Sequence, residues 1–576
     1  MSREPSNPIG VDTRIRVRPT RLFLILALLA LTVATWVPRF RGPIDLRWDG
    51  ATYYVLGTAL AEGKGYRLLN EPGDIEAVQY PPLLPALVAA HQWVLGTSDP
   101  LVVGHWLRLV FFVLCLAFAA SSYLLLERFV PAGYAFVGVV VCLLHLHSLF
   151  LSDLLSAELP FGLLTVLFGL WSVGPGARAR PALAGTCAVL GYLIRSTGIV
   201  LLIVWVADRL LRGDFKRAAL RAAIAVVPIA GWVAYVAAVQ SSAAYGTPAY
   251  PYQRADYLFY NVTYAANLSL RDPYAPELGR ATVADLAKRV VRNVLRVPRS
   301  LGEAVSADRG YWWALVVRVP GARIPVVERH LDAVTTAALI GLGALILAGI
   351  ATQLARAERL LASLLMLYIG AICVTPWPLQ WPRYWSPIAP LLVLALLQCL
   401  LRARDLAGPA WSVLGRGLLP GVLGTILVLE LFTAVYGYQV LRGPVLLQNR
   451  QGELERFSLF FYRRADREFD QALQWLRDRA RPTDVVATAM PHWAYLVTGM
   501  KTVMPPFEID PERVQRLLDA VPVRYVIIDG TDVDIAHLMR RSTVEMIRAA
   551  PDRWKRVYSG PSGLVAIYER VAGTRS

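Results

Sequence analysis

The chain has 576 residues, 56% of them hydrophobic, and a formal net charge of +17; its mean hydropathy is +0.45. These values exclude a single soluble globular core, because the apolar residues fall in repeated blocks near the roughly 17–25 residues that cross a bilayer. The arginines concentrate in short segments between these blocks, and the sequence shows no basic-aromatic module. The charge therefore indicates membrane topology rather than a nucleic-acid partner.

The apolar blocks predict an α-helical, polytopic membrane protein. About eleven spans are expected, near residues 21–37, 100–126, 134–151, 159–173, 181–194, 197–211, 222–240, 333–353, 358–374, 385–401 and 417–438. If the spans alternate, all the basic segments fall on one side: 14–21, 177–180, 209–221, 356–359 and 402–416. The positive-inside rule makes that side the cytoplasm, so we expect a cytoplasmic N-terminus and an uncleaved first span. The preference for arginine over lysine fits a GC-rich bacterial genome, and we expect the protein in a bacterial inner membrane.

The same alternation places the polar segments outside the cytoplasm. They are the loop 38–99, the stretch 152–158, the turn at Arg195, the Tyr-rich loop 241–332, the segment 375–384 and the chain from about 440. We therefore divide the chain into a transmembrane domain, 1–439, and an extracytoplasmic domain, 440–576. In the second, 464–480 and 511–520 have helical periodicity, whereas 484–488, 525–529 and 563–568 resemble strands, which predicts a small α/β domain.

The loop 38–99 carries the most informative pattern. Tyr53, Leu56, Gly57 and Leu60 have helical spacing and follow Asp49, which is a plausible N-cap. Pro81 and Pro82 can open a second helix over 83–94. Two such interfacial helices would hold Asp49 at the boundary between water and lipid.

Several motifs in this order resemble the membrane GT-C class of glycosyltransferases that use polyprenyl-phosphate sugars. They are Asp49 with Tyr53-Tyr54, the LAEGKGY stretch 60–66, YPPL at 80–83, Ala157-Glu158, Arg195 to Gly198, Arg383-Tyr384 to Pro390, and YLVTGM and RYVIID near the C-terminus. The nearest families are the protein O-mannosyltransferases and the lipid A aminoarabinose transferase. Many members have Asp-Glu at the first motif, whereas this chain has Asp49-Gly50.

The resemblance implies an inverting sugar transfer from a polyprenyl-phosphate donor to an acceptor hydroxyl. A carboxylate can act as the general base, and arginine forks match phosphate oxygens. The catalytic candidates are Asp49, as base, and Glu158. The candidates for binding the donor phosphate are Arg383, Arg195 and Tyr384. The candidates for binding substrate are Tyr53, Tyr54, Tyr80, Asp153 and Tyr252.

Structural readings of the same residues stay open. Asp49 could be a helix cap and nothing more, and Arg383 could simply extend towards lipid headgroups. Arg195 could pair with Glu158 or Asp153, and Glu158 could steer the acceptor, bind a metal or serve as that partner. No cofactor is fixed by the sequence, and a divalent metal remains open. His145 and His147 suggest metal ligands, but no spacing rule supports them, and satisfied interfacial histidines are the alternative.

The Tyr-rich stretch 250–264 is either an aromatic belt or a sugar-stacking lid. Two other functions compete with sugar transfer. A lipid or sugar transporter or a flippase would be expected to carry internal repeats, which we do not find. A non-catalytic membrane scaffold or sensor would leave the Asp49 loop without a role. The expected partners are the lipid-linked sugar, membrane lipids and an acceptor protein, lipid or polysaccharide. The sequence does not identify the sugar or the acceptor.

Overall fold

A computed structural model describes residues 19–173, 180–318, 325–355, 359–406, 412–449, 452–531 and 534–571. The basic stretches 14–18, 177–179, 356–358 and 407–411 lie outside these ranges. The first helices are α1 Pro19–Trp36, α2 Asp49–Ala61, α3 Leu83–Leu95, α4 Pro100–Leu126, α5 Ala132–Leu144, α6 Leu146–Asp153, α7 Glu158–Ser172, α8 Pro181–Ile194, α9 Ile199–Leu210 and α10 Phe215–Gln240.

The later helices include both spans and surface elements. They are α11 Ala243–Gly246, α12 Tyr264–Ser269, α13 Val283–Val305, α14 Arg309–Arg318, α15 Pro325–Leu354, α16 Arg359–Cys373, α17 Trp381–Trp385, α18 Ala389–Leu406, α19 Ser412–Tyr436, α20 Arg464–Arg479, α21 Pro491–Thr498, α22 Pro511–Asp519 and α23 Asp534–Ala549. The strands are β1 Arg67–Leu68, β2 Ile75–Glu76, β3 Arg442–Gln448, β4 Leu454–Phe460, β5 Val485–Ala487, β6 Lys501–Val503, β7 Val523–Ile528, β8 Trp554–Ser559 and β9 Ala566–Arg570.

Within the described residues, six helical segments are long and apolar enough to cross a membrane, so the chain is a multi-pass membrane protein. They are Thr20–Arg39, Pro100–Leu126, Phe215–Gln240, His330–Leu354, Pro378–Leu406 and Gly417–Leu441. The bent pair α5–α6, with an angle of 59°, adds a seventh if it forms one span. The predicted count of eleven is not confirmed, because α7, α8 and α16 have only 14 or 15 residues and are shorter than a bilayer requires.

Helix α2 differs from the predicted interfacial helix. All its residues from Gly50 to Ala59 are buried, because α3 packs on one side and Tyr495 and Leu496 of the C-terminal part on another. Asp49 is the first helical residue and not the N-cap. That position belongs to Trp48, whose side chain makes no capping hydrogen bond. The second helix, α3, begins at Leu83 after Pro82, as predicted.

The loop 241–332, predicted as a Tyr-rich stretch, contains the 23-residue helix α13. The side chain of Thr282 caps it by accepting a hydrogen bond from the backbone N–H of Asp285, and the Asp285 carboxylate accepts one from the backbone N–H of Thr282. This helix packs against α15 and α17. It thereby connects the loop to the helices that cross the membrane.

The C-terminal part forms a five-stranded sheet in the order β6-β5-β7-β9-β8. Strands β6, β5 and β7 run parallel to one another, and β9 pairs antiparallel with both β7 and β8. Helix α20 and strands β5 and β7 fall where periodicity predicted them. A separate β3–β4 hairpin precedes this sheet. The division into domains at residue 440 stays a prediction.

Candidate functional site

A cavity of about 150 Å³ brings together side chains from five distant parts of the sequence. Its wall is formed by the start of α2, the segment 79–81 before α3, the turn between α8 and α9, the segment 259–274 and the region 368–384. Its lining comprises Asp49, Tyr53, Gln79, Tyr80, Pro81, Ile194, Arg195, Ser196, Thr197, Phe259, Tyr260, Tyr264, Tyr274, Tyr368, Ile372, Thr375, Trp377, Gln380, Arg383 and Tyr384.

The turn that presents Arg195 depends on a close backbone contact. Helix α8 ends at Ile194, a short 3₁₀ turn covers Ser196–Gly198, and α9 follows. An ideal Cβ on Gly198 would lie 2.3 Å from the carbonyl carbon and oxygen of Gly191. Only glycine therefore lets the two helices meet in this tight hairpin, which directs the chain so that Arg195 reaches the cavity.

A backbone contact also fixes Asp49 relative to Glu158. The N–H of Asp45 donates to the carbonyl of Asp153, and the N–H of Leu155 donates to the carbonyl of Asp45, both at 2.9 Å. These bonds join the segment before α2 to the segment before α7. The two carboxylates, 109 positions apart in the sequence, consequently lie at the starts of two helices whose preceding segments are joined by backbone hydrogen bonds.

The same contact explains the glycine after Asp49. An ideal Cβ on Gly50 would lie 3.2 Å from the carbonyl oxygens of Asp45 and Leu155. A larger side chain here would crowd backbone atoms and would point a second acid at two carbonyl oxygens. In this chain the second carboxylate near Asp49 belongs to Glu158.

Four charged side chains form a continuous network, in which Asp49, Arg195 and Arg383 line the cavity and Glu158 lies behind them. Arg383 Nη2 donates to Asp49 Oδ2 at 2.5 Å, and its Nε donates to Glu158 Oε1. Arg195 Nη1 donates to the same Glu158 oxygen at 2.5 Å. The Glu158 side chain is fully buried, whereas that of Arg383 is 25% exposed. Glu158 thus lies behind the two arginines and holds their guanidinium groups at the cavity surface.

Two tyrosines complete the surroundings of Asp49. The Tyr80 hydroxyl donates to Asp49 Oδ1 at 2.9 Å, and the Tyr53 ring meets the Tyr80 ring edge to face at 5.0 Å. Burial, and then the neighbouring Asp49 carboxylate, raise the pKa of the Tyr80 phenol well above its ordinary value. Tyr80 therefore stays protonated and keeps its hydrogen bond to Asp49.

Aromatic rings from the segment 259–274 cover the cavity. Tyr260 stacks on Tyr80 at 6.3 Å, and its outer edge meets His492 of α21 at 4.6 Å. Burial lowers the pKa of His492 to about 3, so this imidazole is neutral. Such rings supply flat apolar surfaces against which a sugar ring can stack.

Buried polar contacts fix this covering segment in place. Glu71 Oε2 accepts hydrogen bonds from the Tyr250 hydroxyl at 2.7 Å and from Gln253 Nε2 at 3.1 Å. The Tyr252 hydroxyl donates to the carbonyl of Met504 at 3.1 Å. The segment is consequently anchored both to the loop before α3 and to the C-terminal part of the chain.

Three of the predicted substrate-binding residues lie away from the cavity. Tyr54 is rotated by about 100° around α2 from Tyr53, and its hydroxyl donates to the carbonyl of Ser98 outside the cavity lining. Asp153 forms a buried ion pair with Arg108 at 2.9 Å, and Tyr252 is an anchor of the covering segment. Each of these three side chains makes a structural contact outside the lining of this cavity.

The metal-ligand candidates also take structural positions. His145 donates from Nε2 to the carbonyl of Glu303 at 3.2 Å, and the His147 ring lies 5.7 Å from the His145 ring. In the described part of the chain, no group of three or more His, Cys, Asp or Glu side chains is arranged to hold a metal ion.

Sequence reasoning missed one charged residue next to this site. Arg39, at the end of the first span, is buried, and its guanidinium stacks on the Trp36 ring at 4.7 Å. A second cavity of about 30 Å³ lies between Arg39 and Glu158. Arg39 Nη2 and Glu158 Oε2 both lack a hydrogen-bond partner among the described residues. A cavity of this size and polarity accommodates a water molecule between them.

Comparison with known proteins addresses the fold. The structure of ArnT from Cupriavidus metallidurans bound to undecaprenyl phosphate aligns over 96% of this chain and 99% of that chain, with 12% sequence identity and a TM-score of 0.50. The archaeal oligosaccharyltransferase AglB from Archaeoglobus fulgidus, in complex with an inhibitory peptide and a dolichol-phosphate, aligns over 96% of this chain and 74% of that chain, with 13% identity and a TM-score of 0.48.

No protein-family model matches the sequence, and no curated protein matches it either. The structural alignment with ArnT nonetheless extends over nearly the whole of both chains. The fold resemblance to the GT-C class of membrane glycosyltransferases, which the motifs indicated, is therefore confirmed. At this level of identity the likeness concerns the fold.

Proposed function

We propose that this protein is an inverting glycosyltransferase that moves a sugar from a polyprenyl-phosphate donor to an acceptor hydroxyl. The cavity wall carries the proposal, because it holds one carboxylate, Asp49, beside two guanidinium groups, Arg383 and Arg195. These are the groups that the reaction requires: a base for the acceptor and cations for the departing phosphate.

In this proposal Asp49 accepts the proton of the acceptor hydroxyl. The acceptor oxygen forms a bond to the anomeric carbon while the bond from that carbon to the phosphate oxygen breaks. The electron pair of the broken bond stays on the lipid phosphate. General-base assistance of this type contributes about 10²–10⁴-fold to a rate. Tyr80 orients the Asp49 carboxylate through its 2.9 Å hydrogen bond.

The two arginines stabilise the negative charge that grows on the phosphate. Their forked donors can each contact two phosphate oxygens. Arg195 is connected to Asp49 by three successive ion pairs, through Glu158 and Arg383. A phosphate held between Arg383 and Arg195 would leave the sugar directed towards Asp49, with Tyr384 beneath the Arg195 guanidinium at 5.3 Å.

Glu158 acts through the arginines rather than on the substrate. Its carboxylate is buried behind them and keeps two like charges close together before the phosphate arrives. The cavity aromatics, Tyr53, Tyr260 and Tyr264, are proposed to stack on the sugar. The site faces the extracytoplasmic side of a bacterial inner membrane in this proposal, and the C-terminal sheet lies on the same side.

Likeness in fold to ArnT, whose structure contains undecaprenyl phosphate, supports a lipid phosphate as the donor's carrier. The test is mass spectrometry of lipids that copurify with the protein. The proposal predicts a polyprenyl-phosphate sugar bound to wild-type protein and depleted from an Arg383→Met, Arg195→Met variant. Recovery of equal amounts of that lipid from a folded double variant would contradict the assignment of the arginines.

A further inference from the structure

Helix α13 presents an outer face that no other part of the described chain covers. Its buried face, which includes Asn293, Val297 and Leu301, packs inward. On the outer face, Val291 is 61% and Leu295 is 77% exposed. Exposed valine and leucine at helical spacing on a membrane protein indicate contact with acyl chains.

A basic stripe lies beside this apolar stripe. Lys288, Arg292 and Arg296 are exposed and, at 100° per residue, fall on the flank next to Val291 and Leu295. The apolar stripe and the basic stripe therefore run side by side along one helix. This is the arrangement of a helix that lies at the membrane surface, with its apolar stripe in the acyl region and its cations among headgroup phosphates.

Among the described residues, the basic stripe has no acidic partner. The helix carries two acidic residues, Asp285 and Glu303, and both are occupied by ion pairs with Arg271 and Arg299. In the part of the chain that the structure describes, Lys288, Arg292 and Arg296 form no ion pair. Three uncompensated cations beside exposed apolar side chains complement an anionic lipid surface.

The opposite face of α13 reaches the candidate site. The Asn293 amide donates to the carbonyls of Cys373 and Thr375, both at 2.9 Å, and Ser300 Oγ accepts from Trp385 Nε1 at 2.6 Å. Thr375 lines the cavity, and Trp385 ends the short helix α17 that carries Arg383. One face of α13 therefore contacts a residue that lines the cavity and the helix that carries Arg383, while its other face is exposed.

We propose that the exposed face of α13 binds the headgroups of anionic phospholipids and that this contact holds α13 against α17. The ligand is the headgroup phosphate of a lipid such as phosphatidylglycerol, bound by Lys288, Arg292 and Arg296 while Val291 and Leu295 enter the acyl region. The contact is a surface distinct from the cavity. It does not depend on the function proposed for the cavity.

The test is hydrogen–deuterium exchange of peptides covering 283–305 in lipid nanodiscs. Nanodiscs of phosphatidylcholine are compared with nanodiscs that also contain phosphatidylglycerol. Phosphatidylglycerol is expected to slow exchange in α13 of the wild-type protein several-fold. The variant Lys288→Gln, Arg292→Gln, Arg296→Gln should lose this response, since each cation near an anionic surface contributes to the attraction.

Two further variants make the result specific. Arg292→Lys, Arg296→Lys keeps the charge and should keep the response. Arg513→Gln, Arg516→Gln, Arg548→Gln removes three exposed charges from the C-terminal part and should respond like the wild type. Equal exchange in both nanodiscs for the wild type, or an unchanged response in the glutamine variant of α13, would overturn the proposal. If that variant does not fold, the contrast between the two nanodiscs in the wild-type and lysine proteins still decides.

Discussion

Replacing Arg383 by lysine should weaken binding of a lipid phosphate while keeping the positive charge. Arg383 uses two different nitrogens to reach Asp49 and Glu158. A single ammonium cannot contact both carboxylates and also offer a planar fork to a phosphate. The loss of one charge-assisted hydrogen bond costs about 1.5–3 kcal/mol. Affinity for undecaprenyl phosphate should therefore fall roughly 10- to 150-fold, as measured by ligand titration with native mass spectrometry.

Arg108→Lys is the matched control for this measurement. Arg108 also forms a buried ion pair, with Asp153, but it does not line the cavity. Its substitution should lower the thermal stability and leave the affinity of the folded protein for undecaprenyl phosphate unchanged. The reasoning would be refuted if Arg383→Lys bound undecaprenyl phosphate as tightly as the wild type, or if Arg108→Lys lost affinity to the same extent.

Three further predictions concern packing and pH. Gly198→Ala should lower the unfolding temperature because its Cβ would meet the Gly191 backbone at 2.3 Å. The control is Gly231→Ala in α10, which should leave the unfolding temperature unchanged because a Cβ there meets open space. Equal thermal shifts for the two variants would contradict this. Gly50→Glu should reduce folded yield in size-exclusion chromatography without increasing activity, because the new side chain faces two carbonyl oxygens. Burial raises the pKa of Asp470 to about 6, although hydrogen bonds from Tyr462 and Trp493 oppose it. The folded state then binds the proton more tightly than the unfolded state, so the free energy of unfolding falls as pH rises from about 4 to about 6. In chemical denaturation, Asp470→Asn should reduce this dependence of the free energy of unfolding on pH.

The sequence predicted the helical membrane architecture because a bilayer imposes length and apolarity on each span. It predicted α20, β5 and β7 because their periodicity is local. The number of spans was harder to predict from the sequence, because helices as short as α7 and α8 cannot be distinguished from re-entrant segments by composition. The burial of α2 was also not predictable, because it depends on Tyr495 and Leu496, more than 400 residues further along the chain.

At the candidate site too, contacts between residues far apart in the sequence could not be predicted from local patterns. Asp49, Glu158, Arg195 and Arg383 were named from motifs, but only the structure shows that one Glu158 oxygen is shared by two arginines. Tyr54 follows Tyr53 directly, and a motif cannot tell which of two adjacent rings faces a cavity when the helix is buried on every side. Arg39 carries no local signal at all, because its position behind Glu158 arises from the packing of α1 against α4 and α5.

The assignment of Asp49 as the general base is tested most directly by sugar transfer with purified Asp49→Asn protein. The measurement uses the lipid-linked sugar identified from copurified lipid, and it compares the transfer rate with thermal stability and undecaprenyl phosphate binding. We expect transfer to fall by at least about 10²-fold, while the folded protein still binds the lipid phosphate through Arg195 and Arg383. Full transfer activity in a folded Asp49→Asn variant would contradict the account.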